Sequence, residues 1–238
     1  MVIVSPHLDD AVFACANLLA AHPGSTVITV FAGCPSEDAP LPDWDARCGF
    51  QSPQEAVMAR REEDRTALSI LGARPVWLDF LDSQYNQSPM PQEVSRALLH
   101  ALSDIDVKSV VLPIGLFHSD HLVVHDAAMS ALCGLDVGDV NLHLYEDVPY
   151  RAIQGLLQQR LNMLVTQGVV ATPSSLPSAQ DPTIKARAVA AYASQLSGLG
   201  AKSLADLVRP ERLWDLARPG TWKLGTRLAL TGENEYAI

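Results

Sequence analysis

The sequence predicts an α/β fold: a doubly wound, mainly parallel sheet of strand order 3-2-1-4-5 with helices on both faces. Two observations carry that expectation. Short apolar runs rich in valine and isoleucine alternate with longer segments whose apolar residues recur at helical spacing. The runs also lack the apolar–polar alternation of a half-exposed strand, so they suit strands covered on both sides, as crossover helices cover them.

MVIVS, residues 1–5, is the first run, and DDAVFACANLLAAH follows as a helix closed by Pro23 and Gly24. STVITVFAG is an uninterrupted β-branched strand. SPQEAVMARREEDRTALSILGA reads as a long helix, with Ser52 as cap, Pro53 in its first position, Glu55 as capping-box partner and Gly72 ending it. The strand PVWLDF, the helix PQEVSRALLHALSD, the strand KSVVLPIG and the helix SDHLVVHDAAMSALC come next. The strand VNLHLYE and the helix YRAIQGLLQQRLN complete the alternation, and KARAVAAYASQL (185–196) is a further amphipathic helix. Residues 34–51 and 166–183 match no element and are expected to be loops, of a length that often forms lids or substrate walls. No internal repeat or low-complexity linker interrupts the pattern, so residues 1–238 are expected to form a single domain of Rossmann-like topology.

Composition narrows the function classes. Apolar residues make up 48% of the chain and charged residues 18%, which is a globular composition and not a disordered one. A net charge of −10 and a pI near 5.0 argue against a nucleic-acid partner. No apolar stretch approaches the roughly 18 residues of a membrane span. Met1 leads directly into a strand, without the basic and apolar regions of a signal peptide. Cys15, Cys34, Cys48 and Cys133 are scattered and form no CxxC pair, so free thiols and a cytoplasmic location are expected.

Topology then brings two polar strand ends together. In a sheet of order 3-2-1-4-5, the first and fourth strands are neighbours where the winding reverses, and ligands bind at their carboxyl ends. The first strand ends in SPHLDD and the fourth in LFHSDHLVVH. Adjacent carboxylates at a buried strand end repel each other unless something compensates them, and a cation would. A hydrolytic zinc site takes three nitrogen or oxygen ligands and keeps one position open. His7 and Asp10 can reach one ion from a tight turn, and His121 can supply the third ligand from across the crevice. Asp9 is then placed as a general base, and His118 as an acid or electrophile on the opposite wall. Asp120 can accept a hydrogen bond from His118 and fix its tautomer. Taken alone, SPHLDD would equally read as a polar turn with Asp9 capping a helix, and HSDH as ordinary capping residues.

At these residues the chain resembles the PIG-L/LmbE-like N-deacetylases, metal-dependent hydrolases of acylated amino-sugar conjugates. Pro6-His7-Leu8-Asp9-Asp10 matches their (P/A)HxDD motif, and His118-Ser119-Asp120-His121 matches HxDH. The resemblance implies that His7, Asp10 and His121 bind zinc and that Asp9 is the general base. It implies that His118 stabilises the oxyanion or protonates the leaving amine. Arg60, Glu63, Leu71 and Gly72 match the RxxE helix that ends in LG in relatives, which places Arg60 near substrate. Asp82, in the turn after the third strand, matches an acidic turn that contacts sugar. Ala11 departs from the pattern, because many relatives have glutamate there, a change that leaves the implied ligands intact; Leu8 stands where proline is common.

The expected function is therefore a zinc-dependent hydrolase of linear amide C–N bonds, removing an N-acyl group, in particular N-acetyl, from an amino sugar or sugar conjugate. One zinc per chain is expected, and another divalent transition metal suits the same donors. The same parts would serve an amidase that cleaves a thiol-sugar conjugate amide. A non-catalytic sugar- or nucleotide-binding module is the reading from a different class, disfavoured because no GxGxxG loop follows the first strand. Glu146 and Asp147, which end the fifth strand, are candidates either to touch substrate or to cap a helix. His125, one turn after His121, reads as structural or as support for a ligand. His22, His100 and His143 have no acidic neighbours in sequence and read as surface or core histidines.

Overall fold

A computed structural model describes residues 1–85, 88–134, 140–148, 150–179, 181–207 and 209–217. The elements run β1 (Val2–Ser5), α1 (Asp10–Ala21), β2 (Thr26–Thr29), α2 (Asp43–Arg47), α3 (Pro53–Ile70), β3 (Arg74–Trp77), α4 (Pro91–Ser103) and β4 (Ser109–Pro113). They continue as α5 (Ser119–Gly134), β5 (Asn141–Tyr145), α6 (Leu156–Thr166), β6 (Ala171–Pro173), α7 (Pro182–Ala190), α8 (Ala193–Gly198), α9 (Ala201–Leu207) and β7 (Leu213–Leu216). Single 3-10 turns occupy Ser83–Tyr85 and Tyr150–Ala152. The sheet has the order β3-β2-β1-β4-β5-β7-β6. Its first five strands are parallel, in the expected order 3-2-1-4-5. β7 runs antiparallel to both β5 and β6.

The uninterrupted apolar runs bury both of their faces. Val2 and Val4 point into one core with Val110 and Leu112, packed beneath Val94 and Leu98 of α4 and Val124 and Ala128 of α5. Ile3, Val27 and Val111 point the other way, into a core shared with α1, Leu68 of α3 and Tyr192. Removing this much apolar surface from water is what holds β1 at the centre of the sheet.

Local signals behaved largely as the sequence indicates. Ser52 caps α3 by accepting from Glu55 N–H at 3.2 Å, with Pro53 in the first turn. Glu55 reaches back one residue further than a capping box requires, to Gln51 N–H at 2.9 Å. α1 kinks at Cys15, where φ is −137° and ψ is 20°. The amides freed near the kink, Asn17 and Leu18, donate to the Glu211 carboxylate at 2.8 and 3.2 Å, and Lys185 pairs with that carboxylate at 3.1 Å.

Several elements differ from expectation. Residues 34–51 contain α2, and 166–183 contain β6. The segment 185–196 is not one helix, because the backbone breaks at Tyr192 between α7 and α8. The helix expected from Tyr150 starts only at Leu156, after Gly155 turns left-handed at φ 80°. His143 has an acidic partner after all: Asp215, opposite it on β7, lies 2.7 Å from its Nδ1.

Candidate active site

β1 and β4 are hydrogen-bonded neighbours, so the turns that follow them share one crevice. After β1 the chain folds back tightly. Ser5 Oγ donates to the His7 carbonyl at 2.7 Å and accepts from Ala11 N–H at 3.0 Å, while His7 N–H donates to Asp10 Oδ2 at 3.0 Å. Asp9 occupies the cap position of α1, but its side chain makes no capping hydrogen bond. After β4, Phe117 adopts φ 61° and His118 N–H donates to the Leu116 carbonyl at 2.6 Å, which closes a γ-turn around an exposed phenylalanine. Such backbone is sparsely populated and persists only where neighbours fix it. Here the buried Asp147 carboxylate fixes it, accepting from the amides of Gly115 and Leu116, both at 2.9 Å.

The two turns bring three donor atoms together. His7 Nδ1 lies 3.1 Å from Asp10 Oδ2, and His121 Nε2 lies 3.3 Å from the same oxygen. His7, Asp10 and His121 each offer a ligand atom within 4.8 Å of the others. Each histidine also has a carboxylate on its far nitrogen. Asp120 Oδ2 is 3.1 Å from His7 Nε2, and Asp147 Oδ1 is 2.7 Å from His121 Nδ1. A carboxylate on the far nitrogen fixes ring orientation and leaves the near lone pair for a metal, which is the usual support of metal-bound histidine. The donor set therefore fits a divalent cation. Electrostatics agree. Burial disfavours the charged form of both rings, yet the surrounding carboxylates outweigh it and raise the pKa of His7 and of His121 above the ordinary range. Burial also works against the Asp10 anion, but the His121 and His7 charges lower it below the usual range.

Asp120 corrects one expectation. Its carboxylate does not hydrogen-bond His118, whose Nδ1 is 3.7 Å away. Oδ2 instead takes His7 Nε2 and both the amide and the hydroxyl of Ser83, at 3.2 and 3.1 Å. Burial works to raise this carboxyl, but the His7 hydrogen bond and charge hold it at about 2. His118 is oriented by the backbone: its Nδ1 accepts from Asp120 N–H at 3.2 Å, so the neutral ring carries its proton on Nε2. Burial, then the His7 charge, lower its pKa and favour that neutral form.

The cluster forms the floor of a cavity of about 540 Å³. Asp9 opens onto it, with a carboxyl pushed up to about 7 by burial and then by the Asp10 charge. Arg60 and Asp82 line the walls, where the sequence places them, and burial pushes Asp82 up to about 6. Glu146 does not reach the cavity. Its carboxylate accepts from Trp214 Nε1 at 3.1 Å and lies 3.7 Å from Arg212, because the strand end turns it to the face opposite Asp147. His125 is buried apart from the cluster, its Nδ1 donating to the Pro113 carbonyl at 2.7 Å.

Sequence reasoning missed several participants. Asp147, expected with Glu146 either to touch substrate or to cap a helix, instead braces His121. Tyr150 lines the cavity with its ring 5.3 Å from that of His121. Asp45 and Tyr85 meet Arg60: Asp45 Oδ1 is 2.6 Å from Arg60 Nη2, and Asp45 Oδ2 accepts from Tyr85 OH at 2.9 Å. Both tyrosines lie in the segments that follow strand ends, Tyr85 after β3 and Tyr150 after β5. Asp45 had no sequence signal beyond being acidic.

Known proteins resemble this chain in sequence and in fold. The chain is 29% identical over 189 residues to the 2'-N-acetylparomamine deacetylase of Streptomyces fradiae, an alignment that covers 71% of this chain and 64% of that protein. The chain thus spans just under two thirds of that relative's length. Among solved structures, the zinc-inhibited form of the teicoplanin deacetylase Orf2 superposes with a TM-score of 0.74 at 25% identity, covering 92% of this chain and 98% of that one. The A40926 pseudoaglycone deacetylase Dbv21 superposes with a TM-score of 0.72 at 27% identity, covering 91% and 96%. The sequence profile of the PIG-L family, GlcNAc-PI de-N-acetylase, matches residues 2–132, more than half of the chain and including both histidine motifs, and the chain belongs to that family.

Proposed function

We propose that the chain, acting as one domain in the cytoplasm, is a zinc-dependent amide hydrolase that removes an N-acyl group, in particular N-acetyl, from an amino sugar or its conjugate. The observation that carries this reading is the convergence of His7, Asp10 and His121 donor atoms beside a carboxylate, Asp9, that caps nothing. The relatives, named as deacetylases of 2'-N-acetylparomamine, of teicoplanin and of the A40926 pseudoaglycone, support removal of an N-acyl group from such a conjugate. His7, Asp10 and His121 would hold the ion, and when bound it supplies Lewis acidity toward an amide carbonyl and acidifies a neighbouring water.

The chain's own groups do the rest. Asp9 takes the proton of the attacking water on its carboxylate and passes it to the departing nitrogen, a task suited to an acid whose pKa lies near the working pH. His118 Nε2–H donates toward the developing oxyanion, and a fixed donor of that kind is worth most in a site that excludes water. Asp82 and Arg60 bind sugar hydroxyls on the cavity wall. Asp120 and Asp147 hold the ligand rings in place. Unpaired cysteines at all four positions are in keeping with a reducing compartment.

The test is metal analysis joined to acetate release. Because one solved relative is in a zinc-inhibited form, zinc is titrated into metal-free protein from below one equivalent, with other divalent cations in parallel. N-Acetylated sugar conjugates should release acetate, and a chelator should stop the release. Full zinc occupancy in a His121→Ala protein, or no release from any conjugate at any loading, would overturn the reading.

A further inference from the structure

We propose that α2 carries a specificity subsite in which Arg47, stacked on Trp44, binds an anionic substituent on the part of the substrate beyond the amino sugar. The proposal rests on the hydrolase reading above and adds the chemistry of the aglycone side.

A cavity of about 540 Å³ is in the range that encloses a drug-sized ligand and is larger than one sugar ring needs. With the amide held at the floor, the remaining space lies against α2, α8 and the loop that follows α8. α2 is short, but other elements fix it firmly. Its Asp45 is fully buried, with Arg60 of α3 at 2.6 Å and Tyr85 OH at 2.9 Å. Its Trp44 donates from Nε1 to Gln195 Oε1 of α8 at 3.2 Å. The far ring of Trp44 lies so close to Gly198 that a Cβ there would come within 2.8 Å of Cη2. The indole is thus held by one hydrogen bond and by close packing against Gly198.

Arg47 sits one turn along the same helix, with its guanidinium 5.7 Å from the Trp44 ring centroid, and it lines the cavity. The two cavity arginines differ in their charge balance. Arg60 is paired with Asp45, whereas Arg47 is exposed and has no ion pair among the described residues. An exposed arginine by itself says little, because water solvates it well. This one lies over a ring that is itself hydrogen-bonded and closely packed, so part of the cost of ordering it is already met. A planar donor fork of this kind matches a carboxylate or phosphate, and the charge makes the hydrogen bonds strong. The cavity's acids, Asp9, Asp10, Asp82 and Asp120, gather at or near the metal ligands, which separates an anion-accepting wall from a cation-accepting floor.

The experiment compares two N-acetylglucosaminides of equal size, the 4-carboxyphenyl and the 4-carbamoylphenyl glycoside. The wild-type enzyme should favour the carboxylate by about 10-fold in kcat/KM, chiefly through KM, the scale of one charge-assisted contact. Arg47→Glu should invert the ratio, and Arg47→Lys should keep part of it. Added salt should shrink the wild-type preference, since the contact is near solvent. Binding is read separately by tryptophan fluorescence in the Asp9→Asn protein, with and without Arg47→Glu, and Trp44→Phe identifies the responding residue. Equal acetate release from both glycosides, or the same ratio in wild type and Arg47→Glu, would refute the subsite and leave the hydrolase reading intact. No acetate from either glycoside, with the carboxylate still bound more tightly and Arg47→Glu abolishing the difference, would support the subsite and count against hydrolysis of these glycosides, the hydrolase reading itself being decided by the wider conjugate screen. A fluorescence titration showing no difference between the two glycosides would refute the subsite whatever the turnover.

Discussion

Asparagine at position 147 keeps the shape of the side chain and removes its charge, and the three hydrogen bonds of Asp147 make the outcome calculable. Oδ2 accepts from the amides of Gly115 and Leu116 at 2.9 Å, and Oδ1 accepts from His121 Nδ1 at 2.7 Å. An asparagine has one acceptor oxygen and must choose. If that oxygen serves the two amides, the NH2 group faces His121 Nδ1. The ring must then give up its Nδ1 proton and carry it on Nε2, the nitrogen aimed at Asp10 and the metal position. Losing such a partner typically weakens metal affinity 10- to 100-fold, about 1.4 to 2.7 kcal/mol. If the amide flips, the two backbone N–H groups are left facing a donor, at about 1–3 kcal/mol each, and the γ-turn before His118 loses its anchor. Either way, Asp147→Asn pays at the metal or in folding. The assay is a zinc titration against a competing chelator at neutral pH, together with melting of the metal-free protein. The expected result is a zinc Kd 10- to 100-fold weaker, or a markedly lower melting temperature. Wild-type zinc affinity in a variant that melts like wild type would show that Asp147 does not hold the His121 proton, or that His121 is not a ligand.

Asp9→Asn should retain one zinc per chain and lose about 10²–10⁴ in turnover, because it removes a base and no ligand; unchanged turnover with bound metal would reduce Asp9 to a turn residue. His125 sets an acid limit on stability. Burial, then the Arg160 charge, hold it at about 3, whereas an unfolded imidazole titrates near 6.5. Its contribution is complete above about 6.5 and is lost as pH falls from there toward 3, at up to about 1.4 kcal/mol per unit, since the unfolded chain binds the proton first. Urea unfolding of His125→Gln should therefore show a shallower decline between those limits, and parallel curves would contradict the assignment. Gly33→Ala places a Cβ 2.8 Å from the Phe80 carbonyl oxygen, a backbone atom that cannot swing away. It should cost about 1–3 kcal/mol in a thermal melt, and a melting temperature equal to wild type would mean that the strand ends part easily.

The strand order and the meeting of SPHLDD with HSDH were legible because each rests on a repeating signal. Runs such as MVIVS and KSVVLPIG lack polar alternation, and one topology rule then places their ends together. The rest depended on contacts with no period. Choosing between Glu146 and Asp147 requires knowing which side of the sheet each faces at the end of β5, and adjacent acids give no clue. α2 is five residues long, too short for apolar spacing to show. β6 and β7 have three and four residues, and their antiparallel pairing closes an edge that no turn signal announces. Asp120 was assigned to its sequence neighbour His118, although its carboxylate crosses the crevice to His7, which is 113 residues away. Proximity along the chain is a poor guide where a helix N-terminus aims side chains across a gap.

The dependence of His7 on distant carboxylates bears on how the protein is made. His7 and Asp10 precede the rest of the sheet in the chain, but β1 lies between β2 and β4, and the third donor, His121, comes more than a hundred residues later. Asp147, which braces His121, follows later still, and Glu211, which takes the amides freed at the kink of α1, comes near the last described strand. A ribosome-bound chain that has emerged only through β3 therefore carries two neighbouring aspartates and a histidine with nothing to bind them together. Domains of this kind fold as units once enough chain is available. The donor set of His7, Asp10 and His121 is accordingly complete only once α5 has been made, and a chain truncated before α5 would display the first motif without its partner.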